Sequence, residues 1–480
     1  MKQKGILCAV FSLPGRFGIG DFGKCAYEFI DNISALKMDI WQILPLNPVG
    51  YGNSPYQPYS SFAGETALID VEQLYEEGLL KHRPTPRAVP KGHYIDYEEV
   101  RNRKEKYFRE AFKNFSENKE YRKFIKEEWV RLYAIFRVLK ERNEGKSWNE
   151  WQEKDRNWIV KKRPSYVKEL EPEIRYQMFL QYLFYRQWEK IRAYAKEKGI
   201  LIMGDIPFYV GQDSLDVWMN QEQFLLDDEG YPTHVAGVPP DYFSADGQRW
   251  GNPIYNWEQM KEDHFRFWTE RLNGAARMFD LIRIDHFRAF DTYWKIPASC
   301  ETAVEGEWIE APGYEFFDQF LPDFKGAKII AEDLGDMRPE VYVLRDHYDF
   351  PGMNVIQFTL FDKSFKVKDK MITYTGTHDN QMVRSWFEDL SMKERRLALR
   401  KLHVSQRTKG EEVGRAFSKY TYRFPTDISI VPFQDILGLT DEARINTPGT
   451  VSLDNWSWKM TEFGDLFKIL KELLYEDKTF

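Results

Sequence analysis

The chain has 480 residues, room for one large decorated domain or several ordinary ones, with 68 Lys and Arg against 75 Asp and Glu. The resulting formal charge of −7 repels polyanions and argues against nucleic acid or an anionic membrane surface as partner. Three cysteines, Cys8, Cys25 and Cys300, are too few and too scattered for a disulfide framework or a zinc site, and suit a reducing, cytoplasmic setting.

The first predicted element is the apolar run Ile6–Leu13, preceded by Met1-Lys2-Gln3-Lys4 in the manner of a signal peptide. Pro14-Gly15-Arg16 follows with no small-residue cleavage site, so the run reads as a buried strand. No stretch approaches the roughly 18 apolar residues that a membrane span needs. Gly18-Ile19-Gly20-Asp21-Phe22-Gly23 then matches G-x-G-x-x-G, with Asp39 downstream, as in dinucleotide-binding turns. Two features oppose that reading. Pro14–Phe17 separate the strand from the first glycine, and Asp21 would set a carboxylate against a pyrophosphate. The glycines read instead as tight-turn positions, with a helix predicted from Asp21 to Leu36.

Seven further β-rich apolar runs follow: Asp39–Leu46, Gly199–Val210, Asp280–Asp285, Ala327–Asp333, Met353–Phe358, Met371–Thr377 and Asp427–Phe433. Their apolar continuity predicts strands buried on both faces, the habit of a parallel sheet covered by helices. Residues 56–198 are too many for a loop and form an insertion between the second and third strands. Its charged middle, Arg101 to Arg163, carries Trp129, Leu132, Tyr133, Phe136 and Leu139 at helical spacing, so the charges read as a solvated helix face. Residues 211–262, rich in Gly, Pro, Asp and aromatics, predict irregular loop at the mouth of the fold. Phe265, Trp268, Leu272, Ala275 and Phe279 then share one face of a helix leading into the Asp280 run.

Eight such runs predict a (β/α)8 TIM barrel with large insertions, 1–480 forming a single catalytic domain; a doubly wound sheet is the rival. Asp205, Asp285, Glu332 with Asp333, and His378 with Asp379 all stand at the downstream ends of runs. In a barrel those ends converge on the face that carries the active site. Aromatic residues make 16% of the chain, which suits either a large core or a cleft of rings that stack on flat, weakly charged ligands such as sugars. There is no G-x-x-x-x-G-K-[ST], H-E-x-x-H or G-x-S-x-G, so nucleotide, zinc-peptidase and serine-hydrolase readings lose their main support.

Arg283-Ile284-Asp285, Ala331-Glu332-Asp333-Leu334-Gly335 and Gly376-Thr377-His378-Asp379-Asn380, in that order, resemble the catalytic motifs of the 4-α-glucanotransferases of glycoside hydrolase family 77. Gly52-Asn53-Ser54-Pro55-Tyr56-Gln57-Pro58-Tyr59 is similar to the family's loop after the second strand. Gly237–Ser244 and Gly247–Pro253 are similar to its active-site lid, and Arg444–Gly449 and Asn455–Trp458 also fit. The resemblance implies a retaining transfer of α-1,4-glucan segments, with maltooligosaccharides as donor and acceptor. It implies Asp285 as nucleophile, Glu332 as general acid/base and Asp379 as the stabiliser of the oxocarbenium-like transition state, with His378 beside it.

Arg283, two residues before Asp285 on a strand, would keep the nucleophile ionised. Ser54, Tyr56 and Asp205 would complete the donor-sugar pocket, Tyr56 by stacking. Gln248 and Trp250 would line the cleft from the lid, Asn446 would touch substrate, and Tyr51 matches a second glucan-binding position. No metal or organic cofactor is implied. Asp333, Asp70 and Asp241 read as local caps or hydrogen-bond partners. Ala289, Arg249, Met382 and Lys459 depart from the residues usual in the family, Gly, Leu, Thr and Arg, and bear on acceptor preference and product size. Two other readings remain open at this point: an α-amylase-like hydrolase using the same carboxylates, often with a structural calcium, and a glucan-binding scaffold without turnover.

Overall fold

In the computed structural model, which describes residues 2–86, 92–240, 245–335, 337–368 and 370–476, each predicted apolar run contributes one strand of a single parallel sheet. Twelve strands are present among the described residues: β1 (Gln3–Leu7), β2 (Ile40–Gln42), β3 (Leu201–Ile206), β4 (His234–Val238), β5 (Gln248–Pro253), β6 (Leu281–Ile284), β7 (Thr292–Pro297), β8 (Glu307–Glu310), β9 (Lys328–Ala331), β10 (Gly352–Val355), β11 (Met371–Tyr374) and β12 (Ile428–Pro432). The large sheet has the order β10-β11-β12-β1-β2-β3-β6-β9, which is chain order read around a circle. Its two outer strands, β9 and β10, are therefore consecutive and meet. The Ala331 N–H donates to Pro351 O at 2.9 Å. Across the same seam the Met353 N–H donates to Asp333 Oδ1 at 2.7 Å, and Arg345 holds the other Asp333 oxygen. The doubly wound alternative is excluded by this closure, and the chain folds as a (β/α)8 barrel.

Burial on both faces explains the apolar runs: β6, β10 and β11 are buried throughout. The same rule misplaced the end of the first run. β1 begins at Gln3 and stops at Leu7, and Val10–Ser12 turn as a short 3-10 helix that is buried nonetheless. Ser12 Oγ donates to Trp458 O at 2.7 Å and the Met460 N–H donates to Ser12 O at 2.9 Å, so the C-terminal segment covers this turn. Apolar composition there records burial, not strand.

The glycine motif forms a turn. A Cβ on Gly20 would lie 2.0 Å from Val10 O, so only glycine fits. Asp21 faces inward to Lys104, which is fully buried and also donates to Ala67 O and Ile69 O, both at 2.8 Å. The helix after the turn spans Lys24–Ala35, three residues shorter at its start than predicted.

Between β2 and β3 the chain forms helices, the longest being Tyr97–Asn114, Glu128–Arg142 and the 27-residue Glu171–Glu197. In Glu128–Arg142, Leu132, Tyr133, Phe136 and Leu139 are buried. Residues 211–262 carry more regular structure than their composition suggested: helices Leu215–Met219 and Trp257–Glu262 and the strands β4 and β5. These strands pair with β7 and β8 in a four-stranded antiparallel sheet of order β5-β4-β7-β8 beside the barrel mouth. Partner strands that lie far off in sequence make this sheet invisible to local periodicity. No described helix is long and apolar enough to cross a membrane.

Candidate active site

The downstream ends of β3, β6 and β9 lie side by side, because these strands are neighbours in the sheet and Asp205 pairs in register with Arg283. Arg283 points into the barrel, 3% exposed. Its Nη1 donates to Asp205 Oδ1 at 2.9 Å, Asp205 Oδ2 at 2.7 Å and Asp285 Oδ1 at 2.9 Å. The Tyr56 hydroxyl donates to Asp205 Oδ2 at 2.7 Å, so the loop after β2 is tied to the same cluster. Asp205 is thus a buried bridge between Arg283 and Tyr56. Asp285 keeps a partly open carboxylate, with 28% of its side-chain surface accessible.

Glu332, one residue past β9, is differently held. Its Oε2 accepts the His286 N–H at 2.8 Å and its Oε1 accepts the Leu334 N–H at 2.9 Å. His286 has φ +55°, a strained left-handed conformation for a residue with a bulky side chain, and this turn aims its amide at Glu332. Asp379, beyond β11, accepts from Asn446 Nδ2 at 2.7 Å and lies 3.3 Å from His378 Nε2. Asn380 Oδ1 accepts the Thr377 N–H at 2.8 Å and closes the turn that presents Asp379.

Rings surround these groups. Tyr56 stacks on His378 at 5.1 Å and 16°, and Trp456 tilts against both. Trp250 on β5 stands edge-on to His286 at 4.8 Å and donates from Nε1 to Gln248 Oε1 at 3.2 Å. Together with Asp285 and Asp379 they enclose a cavity of about 220 Å³. Of the residues singled out from sequence, Ser54, Tyr56, Gln248, Trp250, Asp285, His378, Asp379 and Asn446 all line it. Asp205 and Arg283 stand behind Asp285, and Glu332 stands behind His286. The backbone of Tyr51 opens a 3-10 turn, but its side chain lies outside the described residues, as does Asp241.

Gln57, Tyr209, His286 and Trp456 also line the cavity and had not been singled out. Trp456 lies in the quoted Asn455–Trp458 motif, so its signal was present. Tyr209 and His286 follow strand ends by four residues or fewer, a position that reads as site in a barrel. None of the four departures, Ala289, Arg249, Met382 and Lys459, borders the cavity. Asp333 closes the barrel seam and Asp70 caps helix Val71–Glu76, accepting from the Glu72 and Gln73 amides.

Asp205, Asp285 and Glu332 all act on the Arg283 guanidinium, and Asp379 adds its charge at Asp285. Burial is the largest cause at both Asp285 and Glu332, and it pushes both carboxyls above the ordinary range, with neighbouring carboxylates adding to the effect and Arg283 opposing it. The direct 2.9 Å bond from Arg283 favours the ionised form of Asp285, and the two backbone amides on Glu332 likewise oppose the upward push of burial there. Burial also lowers His378 and drops His286 to about 3, so both rings are neutral at pH 7.

Behind the Asp379 turn, Asp435 is 1% exposed and accepts from Thr375 Oγ1 and from the Val383 N–H at 2.8 Å. Burial pushes it up to about 7. The folded chain therefore keeps this proton where an unfolded chain, with a carboxyl near 3.8, has lost it. The contribution is fully present below about pH 4 and is lost as pH rises through about 7. Asp435→Asn is expected to remove a few kcal/mol of this decline. Denaturant titrations at pH 5 and pH 8 measure it: the variant's stability relative to the parent must be greater at pH 8, and an unchanged difference would show Asp435 ionised in the fold.

The family model described as 4-alpha-glucanotransferase, glycoside hydrolase family 77, matches residues 8–465. The 4-alpha-glucanotransferase of Aquifex aeolicus is 41% identical, covering 99% of this chain and 99% of its own length. That of Thermus thermophilus is 40% identical, covering 95% and 94%. Among solved structures, the amylomaltase from Streptococcus agalactiae in complex with acarbose has a TM-score of 0.92 at 34% identity, covering 99% of both chains. By fold, by site and by these likenesses, the chain belongs to glycoside hydrolase family 77, the 4-alpha-glucanotransferases.

Proposed function

We propose that this 4-alpha-glucanotransferase site works by double displacement through a glucosyl–Asp285 intermediate. The observation that carries the reading is the different company of its three carboxylates: Asp285 on Arg283, Glu332 on two backbone amides, Asp379 on Asn446 and His378. An α-1,4-glucan lays its donor glucose against Tyr56. Asp285 attacks the anomeric carbon while protonated Glu332 gives its proton to the glycosidic oxygen, and the shortened chain leaves with that proton. Glu332, now a carboxylate, takes the proton of an acceptor 4-hydroxyl. The acceptor oxygen displaces Asp285, restoring the α-link and both starting protonation states. Asp379 and Asn446 hold donor hydroxyls, and the hydrogen bonds strengthen as charge develops on the ring.

Transfer in place of hydrolysis requires that an acceptor reach the intermediate before water does. Trp250 on β5 and Trp456 supply ring faces in the cleft wall for that acceptor, with the Gln248 amide beside Trp250. The family resemblance assigns a second glucan-binding role to Tyr51. We place the enzyme in the cytoplasm as a single catalytic unit, with glucans and not nucleic acid as its partners. Incubation with maltotriose tests the reading. Glucose and longer maltooligosaccharides should appear while total reducing ends stay constant; steadily rising reducing ends would make the enzyme a hydrolase.

A further inference from the structure

We propose that a second groove, behind the active-site loops, is an accessory binding site for an α-glucan chain. The groove has a volume of about 530 Å³, within the roughly 300–1,000 Å³ of small-ligand sites. It lies between the insertion helices Lys119–Phe124, Glu128–Arg142 and Glu171–Glu197 on one side and helix Arg266–Met278 on the other.

Half-buried rings line it. Phe62 and Trp129 are inclined by only 25° at 6.3 Å, and Phe124 meets Trp129 edge-on at 5.9 Å. Acidic and basic groups mix on the rim, Glu120 and Glu189 with Lys123 and Arg186 among them, so a strongly charged ligand of either sign gains little. Arg186 pairs with Glu77, yet its Nε is buried without an acceptor among the described residues. Ring faces for C–H groups, with guanidinium and carboxylate groups for hydroxyls, suit an uncharged polyhydroxylated chain.

Gly274 supplies an independent sign. It stands inside helix Arg266–Met278, where glycine is less favourable than alanine because it loses more backbone freedom. A Cβ there would meet only Phe62, at an ordinary 3.5 Å, so close packing does not require the glycine. Its missing side chain leaves the groove open. The groove also adjoins the catalytic cleft at one residue. Pro207 lines both, and buried Arg271 in the groove donates to Pro207 O at 2.6 Å and Phe208 O at 3.0 Å, just before Tyr209 of the cleft. A long glucan held in the groove is thereby kept close to the catalytic carboxylates, which raises its effective concentration there. The inference rests on glucan being the substrate of the cleft.

Calorimetric titration of maltoheptaose into Asp285→Asn protein, with and without Gly274→Met, tests it. The expected result is one binding event fewer in the double variant, with the same loss in Asp285→Asn/Trp129→Ala. In the active background, Gly274→Met should raise KM for amylose about fivefold while leaving maltotriose turnover within about twofold. Equal stoichiometry and equal affinity in all three proteins would overturn the accessory site. Absence of any maltoheptaose binding to Asp285→Asn alone would overturn the glucan reading of the cleft, and the groove with it.

Discussion

Asp285→Asn is expected to lower turnover of maltotriose at least about 10⁴-fold while leaving glucan binding largely intact. The amide cannot form the covalent glucosyl link, and no neighbouring carboxylate can take its place. Asp205 is buried and committed to Arg283 and Tyr56, and Asp379 is held by Asn446. The substitution also leaves Arg283 with both oxygens of Asp205, so the fold should survive it. Product chromatography against time gives the rate, and calorimetry gives the binding. Turnover that persists in the variant would remove Asp285 from the nucleophile's role; a scaffold without catalysis would show neither turnover in the parent nor any change.

Glu332→Gln should divide substrates by their leaving groups. Departure of a sugar alkoxide needs a proton, so turnover of maltotriose is expected to fall about 10²- to 10⁴-fold. Fluoride leaves without one, and formation of the intermediate from α-maltosyl fluoride should fall far less. The pH profile adds a second check. Burial raises the Glu332 carboxyl, so the parent loses activity on the alkaline side as this group gives up its proton. In the variant that limb should vanish for α-maltosyl fluoride. Equal losses on both substrates would mean that Glu332 is not the acid.

Much of the fold was legible because a parallel barrel buries both faces of each strand. Eight apolar runs survive in the sequence as eight strands, and their polar ends mark the face of the site. Legibility failed where burial and backbone form part company. Val10–Ser12 are as buried as a strand but turn, and residues 211–262 look irregular although β4 and β5 pair with distant β7 and β8. Asp205 illustrates the limit on the site. Its place at a strand end was readable, but its work as a bridge from Arg283 to Tyr56 depends on a register between β3 and β6 that spans 78 residues of sequence.

The residue types and order of Asp285, Glu332 and Asp379, and the family they resemble, were determined by the sequence alone, because motifs and strand ends are local properties of the chain. The closure of the barrel at the β9–β10 seam was decided only in three dimensions, by the Asp333 contacts with Arg345 and Met353. So were the partners of each carboxylate. Which acids the Arg283 guanidinium touches is a matter of distance: it bonds Asp205 at 2.7 Å and Asp285 at 2.9 Å, while Glu332 is held by the amides of His286, in its strained turn, and Leu334.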